Sequence, residues 1–215
     1  MTLTLLIIIV TVIVSLIAMN NDQLMDKCIF HPYSIAKDPS QWYRSITCGF
    51  IHADLPHLAF NMFSFYMFGE YIEKDFQIIF GASSAMMFML LYFTALVICI
   101  IPTYFSHKKQ YNYRSLGASG AVSAIVFVGI FLHPSLQIGF FVIPPIIPGF
   151  VFGPLYLLLT IYLSKKGPGS INHSAHLWGS LYGIVFVIFC SQLLSDFSPI
   201  DNFINNVIGY LNALK

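Results

Sequence analysis

Charge is what this chain most lacks. Asp, Glu, Lys and Arg make up 9% of its 215 residues, against 57% hydrophobic, where a soluble domain carries roughly a quarter charged residues. Too few solvated groups remain to cover a water-facing surface, so lipid must cover it. The chain reads as an integral membrane protein. A net charge of +1 excludes the basic face that nucleic-acid binding needs. Cys28, Cys48, Cys99 and Cys190 show neither CxxC nor Cys/His metal spacing. Cys99 and Cys190 fall in apolar segments and read as small hydrophobes. Cys28 and Cys48 share one polar loop, where a disulfide would require an oxidising compartment.

The apolar runs predict six membrane helices of about 17–22 residues, the length a bilayer asks for. The first covers Leu3 to Met19; it lacks a basic n-region and a small-residue cleavage site, so it reads as a retained helix rather than a signal peptide. A loop over 20–55 follows, rich in Trp and Tyr, which prefer the headgroup level; it reads as structured and partly interfacial. The second segment covers Pro56 to Tyr71 and ends on Glu70, Glu73, Lys74 and Asp75. The third covers Ala82 to Ile101, the fourth runs from Ser119 to His133-Pro134, and a Pro-rich link (Pro144, Pro145, Pro148) leads to the fifth, Phe150 to Leu163. The sixth covers His173 to Leu194. Residues 1–198 thus form one membrane domain, and 199–215 an amphipathic tail with Phe203, Val207, Ile208 and Leu211 near helical spacing.

Polar side chains inside such segments are costly and face the protein interior. His57 and Asn61 stand i, i+4 and share a helix face. Ser119 opens the fourth segment within Gly117-Ala118-Ser119-Gly120, and His176 opens the sixth. A serine between glycines is, taken alone, a helix entry where small residues allow close approach; it is also how a nucleophile is mounted beside backbone N–H donors. Ala175, Gly179 and Gly183 recur every four residues, as do Gly117 and Ala121 and, one step round, Gly120 and Ala124. If these small-residue stripes face each other, Ser119 and His176 meet at one end of the contact. Parity of six spans places both on the same side of the membrane, with His57 and Asn61. No Asp or Glu lies in the last three segments, so the pair would act as a dyad. His57, Asn61 and the Ser119 backbone would face a developing oxyanion.

Several motifs together resemble a rhomboid intramembrane serine protease. Trp42-Tyr43-Arg44 with Thr47, Phe50 and His52 resembles that family's first loop. His57 to Asn61 is similar to its HxxxN motif, and Gly69 and Glu73 to the end of the same helix. Gly117-Ala118-Ser119-Gly120 is similar to GxSG, and Ala175-His176 with Gly179 and Gly183 to AHxxGxxxG. The resemblance implies an all-α polytopic membrane protein, a six-helix rhomboid-like bundle. It implies Ser119 as nucleophile, His176 as general base, and His57 and Asn61 in the oxyanion hole. His52 would support the site together with Gly117, Ala118 and Gly120, and Glu73 would be structural. It implies no cofactor and no metal. The partners would be membrane lipid and single-pass or other transmembrane protein substrates, cut near the surface of the cell (inner) membrane. A cap would come from Ser164 to Asn172.

Two departures stand out. Family members often carry an aromatic residue four positions after the nucleophile, against which the histidine rests; here that residue is Ser123. The orientation of His176 must then come from Trp178 or from a hydrogen bond. Second, the loops on the active-site side carry eight basic residues (Lys27, Lys37, Arg44, Lys108, Lys109, Arg114, Lys165, Lys166) and the other side two, Lys74 and Lys215. The positive-inside rule would turn the active-site loops to the cytoplasm, opposite to the usual family arrangement. Three other readings exist. A catalytically inactive rhomboid-like binding factor has no need of all four polar residues. A proton-relay transporter calls for ionisable groups at mid-membrane rather than at helix ends. A zinc site of His52, His57 and His176 lacks HExxH and a carboxylate.

Overall fold

The computed structural model describes residues 1–140, 143–164 and 172–214. The protein is mostly helical. The helices are α1 (Leu3–Met19), the short α2 (Asp22–Cys28), α3 (Pro32–Lys37) and α4 (Arg44–Thr47), α5 (Leu55–Phe80), α6 (Ser84–Ile98), α7 (Ile101–His107), α8 (Ser119–Leu132), α9 (Gly149–Ser164), α10 (His173–Leu194) and α11 (Pro199–Ala213). Between α8 and α9 lies an antiparallel hairpin, β1 (Gln137–Phe140) and β2 (Ile143–Pro148), with Gln137 opposite Pro148. The hairpin departs from the all-α expectation and replaces the Pro-rich link. Two-stranded pairing leaves each strand an open edge, where prolines lacking an N–H are tolerated. The predicted cap over Ser164 to Asn172 falls mostly on residues 165–171, outside the described residues.

Polarity runs inside out. On α1 the buried face is Thr4, Ile7, Thr11, Ser15 and Ala18, while Ile9, Val10, Ile13, Leu16 and Ile17 are exposed. On α10, Ser180 and Ser191 are fully buried, while Val185, Phe189, Leu193 and Leu194 are exposed. A helix in water does the reverse, so this apolar exterior faces lipid. Two stretches, Leu55–His107 and His173–Leu194, are long and apolar enough to cross a membrane; Leu3–Met19, Ser119–Leu132 and Gly149–Ser164 are shorter apolar helices.

At the centre stands α8, buried on nearly every side and in contact with α5, α6, α9, α10 and α11. A helix apolar all round belongs there. Its far end is held by α11: Asn202 Nδ2 donates to the Leu132 carbonyl at 2.7 Å, and Phe203 stacks on Phe131. Against sequence expectation, α5 continues beyond Tyr71 for about two and a half more turns, to Phe80, before Gly81 turns the chain with φ +53°. The acidic residues expected to end it are absorbed by distant partners. Glu73 accepts from Leu3 N (3.0 Å), Thr4 N (2.7 Å) and Thr4 Oγ1 (2.6 Å), capping the start of α1. Asp75 bonds His133 Nε2 at 2.8 Å. The third segment is also shorter than expected: α6 stops at Ile98, and α7 begins with Pro102 in its first turn, where no N–H is required.

Candidate active site

The strand of chain leading to Ser119 is fastened by the first loop. Phe30 and Ser115 exchange backbone hydrogen bonds (3.0 and 3.1 Å), and Gly117 N donates to the Cys48 carbonyl at 2.9 Å. Arg44, whose Nη1 reaches the carbonyls of Asp26 and Ile29, ties that loop to itself. Gly117 takes φ +110°, open to glycine at little cost. A Cβ there would also sit 2.8 Å from His57 Cε1, so the imidazole of His57 rests directly on the Gly117 backbone. Two residues later the first turn of α8 begins at Ser119, where the earliest N–H groups of a helix have no partner within it.

Next to this turn His52 is fully buried and engaged on both nitrogens. Ser15 Oγ donates to the Phe50 carbonyl (2.9 Å) and stands 2.9 Å from His52 Nδ1; Ala118 N donates to His52 Nε2 at 3.4 Å. Satisfying all three fixes the tautomer: the ring proton is on Nδ1 and goes to Ser15. Burial, then the neighbouring His57 charge, pushes His52 down to about 3, so the ring stays neutral and can accept from the backbone next to Ser119. The three histidines weighed as a zinc set are thus not free to converge. Both nitrogens of His52 are occupied, and among the described residues no group of three or more His, Cys, Asp or Glu could hold a metal.

His176 comes from the first turn of α10, whose Asn172 cap accepts from Ala175 N at 3.1 Å and from Thr103 Oγ1 at 3.2 Å. α8 and α10 run parallel along the small-residue stripes. A Cβ at Gly179 would strike the Gly120 carbonyl, and one at Gly183 the Ala124 carbonyl. This approach brings His176 Nε2 to 2.7 Å from Ser119 Oγ. Asn61 is buried beneath His57 on α5 and gives one N–H to the His57 carbonyl at 3.0 Å, which leaves its second N–H uncommitted. Gly120 lies against Cys99 and the Ala175 carbonyl, closing a small cavity behind the serine. All four cysteines are free thiols.

What orients His176 was not legible in the sequence. Trp178 is 45% exposed on the outer face. The hydrogen bond comes instead from α9: the Tyr156 hydroxyl is 3.2 Å from His176 Nδ1. The sequence hint is the pair Tyr156 and Thr160, i and i+4 in a largely apolar segment.

Residues 39–193 match the Rhomboid domain family. The chain is 33% identical over 151 residues to "RHOMBOID-like protein 12, mitochondrial" of Arabidopsis thaliana, covering 63% of this chain and 42% of that one. It is 29% identical over 163 residues to "Rhomboid-like protein 11, chloroplastic" of the same plant, covering 72% and 54%. With "Putative rhomboid protease YdcA" of Bacillus subtilis it shares 28% over 162 residues, 74% and 73% of the two chains. The chain spans about half the length of the two plant relatives. With a family match over most of its length, the protein belongs to the rhomboid family, and it is an integral membrane protein.

Proposed function

We propose that the protein is an intramembrane serine endopeptidase that cuts transmembrane protein substrates near the membrane surface. The observation that carries this is the 2.7 Å contact between Ser119 Oγ and His176 Nε2, a nucleophile and a base held on two helices whose backbones touch. Family membership supports it, because rhomboid proteins act on transmembrane substrates within the membrane.

In this reading six helices span: α1, α5, α6, α8, α9 and α10. At 14 residues α8 is short of the roughly 20 that a lipid-exposed span requires, but its neighbours enclose it, so it need not meet lipid along its length. Residues 1–198 form the membrane domain and 199–215 the tail. Placement in the cell (inner) membrane belongs to the proposal and rests on the family resemblance; the plant relatives carry organellar names.

The chemistry follows from the geometry. As the Ser119 oxygen attacks the scissile carbonyl, its proton passes to His176 Nε2. The carbonyl π electrons move to oxygen, and that oxyanion meets the Ser119 N–H, the free N–H of Asn61 and His57. Removing one such donor typically costs about 10²–10³ in rate. Collapse expels the amine, which takes the proton from Nε2. Water then attacks the acyl-serine, giving its proton to Nε2; collapse releases the acid and returns that proton to the Ser119 oxygen. Gly117, Ala118 and Gly120 hold the serine turn, and His52 supports it through Ala118.

The test is cleavage of a single-pass transmembrane substrate in liposomes. Wild type cuts it, and Ser119→Ala, folded by its melting curve, does not. Undiminished cleavage by Ser119→Ala, or loss of wild-type cleavage on adding a chelator, sinks the serine mechanism. A wild type that binds such segments and cuts none points to the inactive rhomboid-like binding factor.

A further inference from the structure

We propose that Tyr156 is the positioning residue that fixes the tautomer and orientation of His176. The proposal rests on the protease reading above. The two nitrogens of His176 meet two different hydroxyls, Ser119 Oγ at 2.7 Å on Nε2 and Tyr156 Oη at 3.2 Å on Nδ1. For the serine to give up its proton, Nε2 must hold a lone pair, so the single ring proton of the neutral imidazole has to sit on Nδ1. The group facing Nδ1 must then accept. A carboxylate would do this by charge, but α8, α9 and α10 contain none.

A phenol accepts on this side when its own proton is turned away from Nδ1. The donor is then His176 Nδ1–H and the acceptor Tyr156 Oη. If the phenol pointed its proton at Nδ1 instead, the ring proton would move to Nε2 and block the serine. The two arrangements are opposite states of one hydrogen bond, and turnover requires the first.

Tyr156 is well placed to hold a ring still. Its aromatic face lies on Phe152 (5.9 Å, 24°) within α9 and against Phe127 (5.6 Å, 48°) of α8, and its carbonyl accepts from the buried Thr160 Oγ1 at 2.8 Å. A tyrosine kept only to fill space between α8 and α9 would need the ring and not the hydroxyl.

Tyr156→Phe separates the two roles, since it keeps the ring and removes the acceptor. In liposomes kcat should fall about ten-fold, the upper end for one neutral hydrogen bond, with KM within about two-fold and the melting temperature unchanged. Nitrogen NMR of 15N-histidine-labelled wild type should show the resting His176 protonated on Nδ1, and Tyr156→Phe should lose that fixed tautomer. An unchanged kcat in Tyr156→Phe, a loss confined to KM, or a wild-type ring protonated on Nε2 overturns the assignment. Ser119→Ala in the same assay keeps the failures apart: cleavage that survives it defeats the serine mechanism, while the NMR signature judges the Tyr156 contact independently of turnover.

Discussion

At the scale of single residues, one buried histidine ties two distant segments together. His52 links Ser15 of α1 to the Ala118 N–H, so the first helix and the Ser119 turn are joined through one neutral ring. Its folded-state pKa, held near 3 by burial, gives the sign of a pH effect. The unfolded chain takes up this proton near pH 6.5 and the folded one refuses it, so the His52 contribution is whole above about 6.5 and is lost progressively as pH falls toward 3. The slope is at most about 1.4 kcal/mol per pH unit. His133 works oppositely: its bond to Asp75 raises its pKa, and its contribution, present below about 6.5, fades as pH rises through that raised value. The comparison must therefore be made against a variant. Between pH 7 and 5 in detergent, wild type should lose melting temperature more steeply than His52→Asn. Parallel slopes would contradict the account. His52 was legible as a supporting residue only through the family resemblance, because nothing local in the sequence joins Ser15, His52 and Ala118.

At the scale of elements, the contact of α8 with α10 decides whether a serine and a histidine far apart in sequence become a pair. This was the most legible part of the chain. Gly179 and Gly183 leave no room for a side chain, so the four-residue recurrence of small residues is dictated by the approach itself. Gly183→Leu would drive its Cβ into the Ala124 carbonyl, backbone that cannot step aside. Overpacking of this kind costs about 1–3 kcal/mol or more. Expected is loss of cleavage together with a lowered melting temperature. Gly209→Ala on α11, where nothing lies within 4 Å, should be silent for cleavage and stabilise slightly through helix propensity. Equal damage from both would deny the contact its role. The element ends were less legible. The acidic run Glu70 to Asp75 reads as a helix terminus until its distant partners, the α1 N-terminus and His133, are seen. The hairpin after α8 carries prolines where alternation would otherwise mark a strand. Tyr156 is not legible as a site residue, because a tyrosine in an apolar segment is ordinarily an interfacial anchor.

At the scale of the molecule, shortage of charge settles the solvent and the solvent settles the fold. Lipid outside lets Val185 and Phe189 face outward and Ser180 and Ser191 inward, leaving α8 enclosed with its N-terminus as the mount for Ser119. The first loop, which contains α2 to α4, holds Ser115 and Gly117 by backbone hydrogen bonds, so the Ser119 turn is tied to both the loop and, through His52, α1. The central claim is that this frame activates one serine. It is tested most directly by labelling the detergent-solubilised protein with a fluorophosphonate probe and mapping the adduct by mass spectrometry. The account predicts a single adduct on Ser119, absent in Ser119→Ala and strongly reduced in His176→Ala. A wild type left unlabelled, or labelling that persists in Ser119→Ala, would contradict it.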